Sequence, residues 1–157
     1  MSYDKWIEYK LSDVCDIKYG KDHKKLSDGI IPTYGSGGIM RYVDSYLYDK
    51  PSVLIPRKGT LSNLFYVEKK FWTVDTLFWT KINDSIVYPK FLYYLLLTYK
   101  FEDMNVGSAV PSLTTALLNE VKVTLPPQQE QEEIANILSS LDDKIETNNK
   151  INQQQKP

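Results

Sequence analysis

Toward the C-terminal end, Val121, Val123 and Leu125 alternate with Lys122 and Thr124, the period of a half-buried strand, and Pro126-Pro127 end it. The period then changes. Ile134, Leu138, Leu141 and Ile145 recur at spacings of four, three and four, which places them on one stripe of a helix in heptad register, widened by Ile137. Pro127 suits the first helical turn, where a missing N–H costs nothing. Glu130, Glu132 and Glu133 then sit where the positive end of the helix dipole favours carboxylates. Continuing the register gives Asn148 and Asn152, so the seam turns polar. A helix of about 25 residues with so short an apolar seam is marginal alone. It either folds back on its own domain or pairs with another helix, in this chain or in a second one.

The preceding chain alternates short apolar runs with Gly- and Pro-containing turns. Trp6, Leu11 and Val14 to Ile17 predict an opening strand or short helix leading into Tyr19-Gly20. Ile30 to Tyr34 and Ile39 to Val43 flank a Gly35-Ser36-Gly37-Gly38 interruption, and Val53-Leu54-Ile55 and Leu64 to Val67 flank a basic, Gly-containing loop. Phe71 to Trp79 reads as one further strand, its aromatics assigned to core packing rather than to base stacking. Pro89 to Lys100 predicts a buried helix, and Pro111 to Asn119 a short one reached through the Gly107-Ser108 turn. The predicted class is α+β: a mixed or antiparallel, strand-rich domain with short helices over residues 1–125, followed by a long helix over 126–157.

Composition narrows the function classes. The chain has 157 residues, 42% hydrophobic and 25% charged, with no apolar run near the roughly 20 residues of a membrane span. The opening MSYDKWIEYKLSDV lacks the apolar core of a signal peptide, and a cytoplasmic setting is expected. A single cysteine, Cys15, and a single histidine, His23, exclude an internal disulfide and a Cys-based zinc site. Cys15 lies in an apolar stretch and reads as a packed side chain. The net charge of −1 divides unevenly: 16 Lys and Arg stand against 14 acids up to Leu125, and 3 against 6 beyond it. A basic face on the first part is permitted, not required.

No catalytic constellation emerges. Asp75 and Glu68 flank Lys69 and Lys70, a pairing too common to signal a nuclease, and no G-x-S-x-G elbow or phosphate-binding glycine motif is present. Leu125-Pro126-Pro127-Gln128 is not the Asn/Asp-Pro-Pro-aromatic motif of DNA methyl transfer. Binding chemistry is better represented. Arg57 and Lys58 can neutralise phosphates, Arg57 can reach guanine bidentately, and Thr60, Ser62 and Asn63 are short hydrogen-bonding groups suited to bases or phosphates. The same loop could be a hairpin whose charges face water. The Gly35 to Gly38 segment could admit a sugar-phosphate chain or simply turn. Lys21, Lys24 and Lys25 lie in a polar loop that the residues alone mark only as solvated.

The order Gly107-Ser108, Pro111, Leu113, a strand, Leu125-Pro126-Pro127, Glu130-Gln131, Ile134-Ala135, Leu138, Leu141-Asp142 and Ile145 resembles the end of a target-recognition domain and the helix after it in specificity subunits of type I restriction-modification systems. Pro32, Tyr34, Gly35 and Gly38 fit a PxYGxxG-like segment of that family, and Arg57-Lys58-Gly59 an RKG element. The resemblance implies a non-catalytic reader of double-stranded DNA, covering half of the usual two-domain subunit. It would direct separate methyltransferase and restriction/translocase subunits to a bipartite target. S-adenosylmethionine, ATP and magnesium would belong to those partners, and no cofactor or metal to this chain. The DNA-binding candidates it implies are Lys21, Lys24, Lys25, Tyr34, Ser36, Arg41, Arg57, Lys58, Thr60, Ser62, Asn63 and Ser108. Ile134, Leu138, Leu141 and Ile145 would pair two copies as a coiled-coil homodimer. The rival reading is a protein-interaction module with no DNA specificity of its own.

Overall fold

A computed structural model describes residues 5–104 and 109–155. The opening segment splits into β1 (Ile7–Lys10), a single helical turn α1 (Leu11–Val14) and β2 (Cys15–Tyr19). Leu11 and Val14 are fully buried, so the turn rotates the chain about two apolar anchors before it becomes extended again. Next come β3 (Asp28–Gly35), β4 (Gly38–Val43), β5 (Ser52–Pro56), β6 (Phe65–Val67), β7 (Trp72–Thr73) and β8 (Leu77–Ile82). The helices α2 (Pro89–Leu97) and α3 (Thr115–Asn119), the closing strand β9 (Lys122–Leu125) and the helix α4 (Gln128–Gln155) complete the order.

Three sheets result, with strand orders β1-β9, β2-β8-β5-β6 and β4-β3-β7. All pairings are antiparallel except β3 with β7, where Thr33 faces Trp72 and Tyr34 faces Thr73. Antiparallel β1-β9, with Ile7 opposite Leu125 and Lys10 opposite Lys122, brings the start of the chain against the strand that feeds α4.

The central sheet is covered on both faces, which is why β5 reads as an uninterrupted apolar run and not as an alternation. Val53 and Ile55 point into a core shared with α2 and α3, through Phe91, Leu92, Leu96 and Leu118. Leu54 points the other way, toward Val67, Phe71, Leu77 and Trp79 and, from the β4-β3-β7 sheet, Tyr34. Where β5 meets the middle of β8, two hydroxyls complete the ladder. Ser52 Oγ donates to the Thr80 carbonyl at 2.8 Å and accepts from Thr80 N at 2.9 Å, while Thr80 Oγ1 accepts from Val53 N at 2.9 Å. These two buried hydroxyls are thus matched rather than stranded.

Two predicted elements differ in detail. The Phe71 to Trp79 run is not one strand: Leu77 N bonds the Val74 carbonyl at 3.2 Å, and this turn sends β7 to one sheet and β8 to another. Aromatic content marked the run as buried but could not show that two sheets divide it. The predicted helix from Pro111 begins only at Thr115, because the Thr114 hydroxyl caps it by accepting from Leu117 N at 3.2 Å. Residues 111–113 are extended instead. Among the described residues, no helix is long and apolar enough to cross a membrane.

Candidate nucleic-acid interface

Tyr19 ends β2, Thr76 precedes β8, Pro56 ends β5 and Gly35 ends β3, and the pairing registers place all four at one end of the molecule. The loops that leave them therefore converge, although they are far apart in sequence. Backbone bonds tie them together. Gly20 N donates to the Leu77 carbonyl at 3.1 Å, Lys21 N to Thr73 at 2.9 Å, Val74 N to Tyr34 at 3.0 Å and Arg57 N to Thr76 at 2.8 Å. Gly20 is required by contact: a Cβ there would lie 1.9 Å from the Val74 carbonyl oxygen.

The basic loop between β5 and β6 is held rather than free. Leu61 and Leu64 anchor it in the core. Gly59 adopts φ +91°, a conformation open to glycine at little cost, and donates its N–H to the Pro111 carbonyl at 3.1 Å. Leu113 N donates to the Arg57 carbonyl at 2.8 Å, and Lys58 and Ser112 form a bridge, so the extended 111–113 segment runs beside residues 57–59. Asn63 Nδ2 donates to the Ser36 carbonyl at 2.6 Å, joining this loop to the turn between β3 and β4.

Within that frame the cations differ. The Arg57 guanidinium lies 5.3 Å over the Tyr19 ring and donates to the Asp75 carbonyl at 3.3 Å, a pose that fixes the planar fork by stacking. Lys21, Lys24, Lys25 and Lys58 are exposed, and among the described residues no carboxylate pairs with them. Arg41 is otherwise engaged. It donates to the carbonyls of His23 at 3.3 Å and Leu26 at 3.1 Å and to Asp28 Oδ1 at 2.7 Å, clasping the loop between β2 and β3. Tyr34 is half-buried against Phe65, ring centroids 5.7 Å apart, and burial pushes its hydroxyl pKa up. Thr60 and Ser62 are exposed on the same loop as Arg57. Ser108 lies outside the described residues.

A cleft of about 650 Å³ opens between these loops, lined by Asp22, His23, Lys24, Ser36, Met40 and Asp75, among others. Sequence reasoning passed over Tyr19, Asp22, Asp75 and residues 111–113 as parts of this end. A carboxylate here can accept from an exposed cytosine amino group, chemistry that the cations cannot supply. Tyr19 carried one signal, its place at a strand end beside a glycine. The others come into position only through long-range pairing. Among the described residues, no three His, Cys, Asp or Glu side chains converge as a metal site.

At the far end, α4 has two unlike halves. Gln131 and Ala135 are buried, Ile134 packs against the main core and Leu138 is half-buried, whereas Ile137, Leu141 and Ile145 are 63%, 49% and 59% exposed. The first alternative left open by the heptad stripe holds for its inner part, where the first turns fold back on the domain, while the later stripe faces outward.

Comparison with known proteins places the arrangement. The sequence model of the type I restriction modification DNA specificity domain matches residues 3–155. A Mycoplasma pneumoniae protein with the working designation of a type I specificity subunit N-terminus is 30% identical over 141 residues, 84% of this chain and 75% of that one. A Haemophilus influenzae protein designated a type I restriction enzyme specificity subunit is 33% identical over 147 residues, 86% of this chain but 37% of its own length. The crystal structure of a type I restriction-modification S subunit from M. genitalium superposes with a TM-score of 0.78 at 19% identity, covering 90% of this chain and 40% of that one. The HsdS subunit of Thermoanaerobacter tengcongensis gives 0.67 at 19% identity, over 91% and 39%. These structural likenesses establish a shared fold. The chain thus spans most of one relative and well under half of the others.

Proposed function

The chain belongs to the type I restriction modification DNA specificity family, and from that membership we propose that it is a target-recognition unit for double-stranded DNA whose C-terminal helix sets the distance to a second such unit. The observation that carries this reading is the convergence at one end of the basic loop 57–64, the turn at Ser36, the turn at Asp75 and residues 111–113, tied by backbone bonds and, at Ser36, by the Asn63 amide. An end that presents lysines free of carboxylate partners among the described residues, beside a stacked arginine and a carboxylate-lined cleft, can separate two tasks. Lys21, Lys24, Lys25 and Lys58 contribute phosphate attraction that is largely independent of sequence, and Arg57 with Thr60 and Ser62 reads base edges. Asn63 spends its amide on Ser36 and serves to hold the loops together.

In this reading the chain performs no chemistry. It brings a methyltransferase subunit and, through it, a restriction/translocase subunit to the target, and S-adenosylmethionine, ATP and magnesium act on those partners. Two copies pair antiparallel through the outward stripe of Leu141 and Ile145, so a twofold protein meets a twofold, split DNA site. Selection from randomised duplex DNA at near-physiological salt, with and without the methyltransferase subunit, tests the proposal. Enrichment of a bipartite, symmetric motif is expected. Enrichment of no motif under either condition overturns DNA recognition and leaves a protein-interaction module.

A further inference from the structure

We infer that Gln131 is a positioning residue that locks the angle at which α4 leaves the recognition domain, and thereby fixes the number of base pairs between the two half-sites. This rests on the paired-reader function proposed above, but the lock itself is a property of one chain.

Gln131 is 1% exposed. Its amide makes three bonds to backbone groups outside α4. Oε1 accepts from Tyr88 N at 2.8 Å, and Nε2 donates to the Ile86 carbonyl at 3.2 Å and to the Pro126 carbonyl at 2.9 Å. Tyr88 caps α2, and Pro126 is the corner between β9 and α4. One side chain in the first turn of α4 therefore joins the entry of α2 to the end of the closing strand. Buried amides are costly to leave unpaired, which makes such a joint selective for a single geometry. Ala135, fully buried one turn later, presents only a methyl group to the domain. Lys90 to Ser139 at 3.0 Å and Tyr94 to Asp142 at 2.6 Å continue the seam on partly or fully exposed side chains, and from Asp143 to Asn152 every residue is exposed.

Lever length makes the angle matter. Ile145 is 14 residues beyond Gln131, about 21 Å at 1.5 Å per residue, so a swing of about 10° moves it by about 4 Å. That is close to the 3.4 Å spacing of successive base pairs along B-DNA. A loose joint would accept neighbouring spacer lengths, whereas a locked one selects a single length.

The test uses the full chain with Cys15 replaced by alanine and nitroxide labels at Lys81→Cys and Asn148→Cys, diluted with unlabelled chain so that only distances within one copy are read. Adding Gln131→Met keeps the volume and removes all three bonds. The expected result is a distance distribution that broadens or shifts by several ångströms relative to the parent, together with selected DNA in which the half-sites are unchanged and the spacer is no longer of one length. Cooperative melting of Gln131→Met with unchanged distances and an unchanged spacer overturns the inference. If Gln131→Met loses cooperative melting, Gln131→Glu, which keeps the acceptor for Tyr88 and loses both donated bonds, is read by the same criteria. A parent chain that selects no bipartite DNA overturns the proposed function instead, while the distance measurement still decides the joint.

Discussion

Arg57 and Lys58 are adjacent and both cationic, yet their surroundings differ. Arg57 is half-buried, stacked 5.3 Å over Tyr19 and bonded to the Asp75 carbonyl, whereas the Lys58 side chain is exposed and its anchoring is confined to the backbone. Arg57→Ala should weaken binding by about 1–3 kcal/mol and relax preference at one base pair, while Lys58→Ala should weaken all sequences alike and reduce the salt slope by about 1. Fluorescence anisotropy titrations on target and scrambled duplexes over a range of salt decide this, and equal loss of both specificity and salt slope in the two variants would contradict the division. A glycine pair gives a second contrast at the same end. A methyl group on Gly20 would lie 1.9 Å from the Val74 carbonyl oxygen, but on Gly37 it would meet nothing within 4 Å. Gly20→Ala should therefore destabilise the fold by about 1–3 kcal/mol through overpacking, and Gly37→Ala should stay within about 0.5 kcal/mol of the parent. Urea melts of the two variants check the pair, and equal midpoints would show that the close approach relaxes freely.

Elements were legible in proportion to how local their causes are. The Val121 to Leu125 alternation gave β9, and the β5 and β6 runs around Arg57 gave a hairpin, because side-chain period and turn residues are written in consecutive positions. The division of Phe71 to Trp79 between two sheets was not legible, since it depends on β7 finding β3 and β8 finding β5. The same limit hid the pairing of 57–59 with 111–113 and the use of Arg41 as a clasp, both decided by partners far away in sequence. The stripe on α4 was legible as a stripe, but period alone does not say what covers it. Its inner half meets α2, where the Tyr94 hydroxyl donates to Asp142 Oδ2 at 2.6 Å. Burial first, then the hydrogen bond and negative charge of Asp142, push Tyr94 from its ordinary 10.0 up to about 12. A pKa raised on folding means that the unfolded chain gives up the proton first. The contribution is thus complete below pH 10 and is lost as pH rises toward about 12. The melting-temperature gap between the parent and Tyr94→Phe should be constant at neutral pH and shrink across that alkaline window. A gap that does not change with pH would remove the ionisable contact from the joint.

For the whole molecule, the two ends pose opposite requirements. The loop end presents lysines that no carboxylate pairs with among the described residues, whereas the helix end exposes Ile137, Leu141 and Ile145 beside Asp142, Asp143 and Glu146. In the paired-reader proposal this exposed apolar row is a surface for association, and a second copy would offer it an identical, self-complementary row with the helices antiparallel. Leu141 separates association from folding better than Leu138, because Leu138 is half-buried and Leu141 is 49% exposed. Leu141→Asp should leave the melting temperature of the 18.2 kDa chain nearly unchanged while converting a dimer to a monomer in multi-angle light scattering at tens of micromolar. The consequence on DNA follows from linkage. With the second half-site no longer tethered, affinity for a full bipartite site should fall by about 10²–10⁴, while affinity for an isolated half-site should hold. If the parent chain is already monomeric at that concentration and Leu141→Asp binds both duplexes as the parent does, the outward stripe serves a different partner and pairing of two copies is wrong.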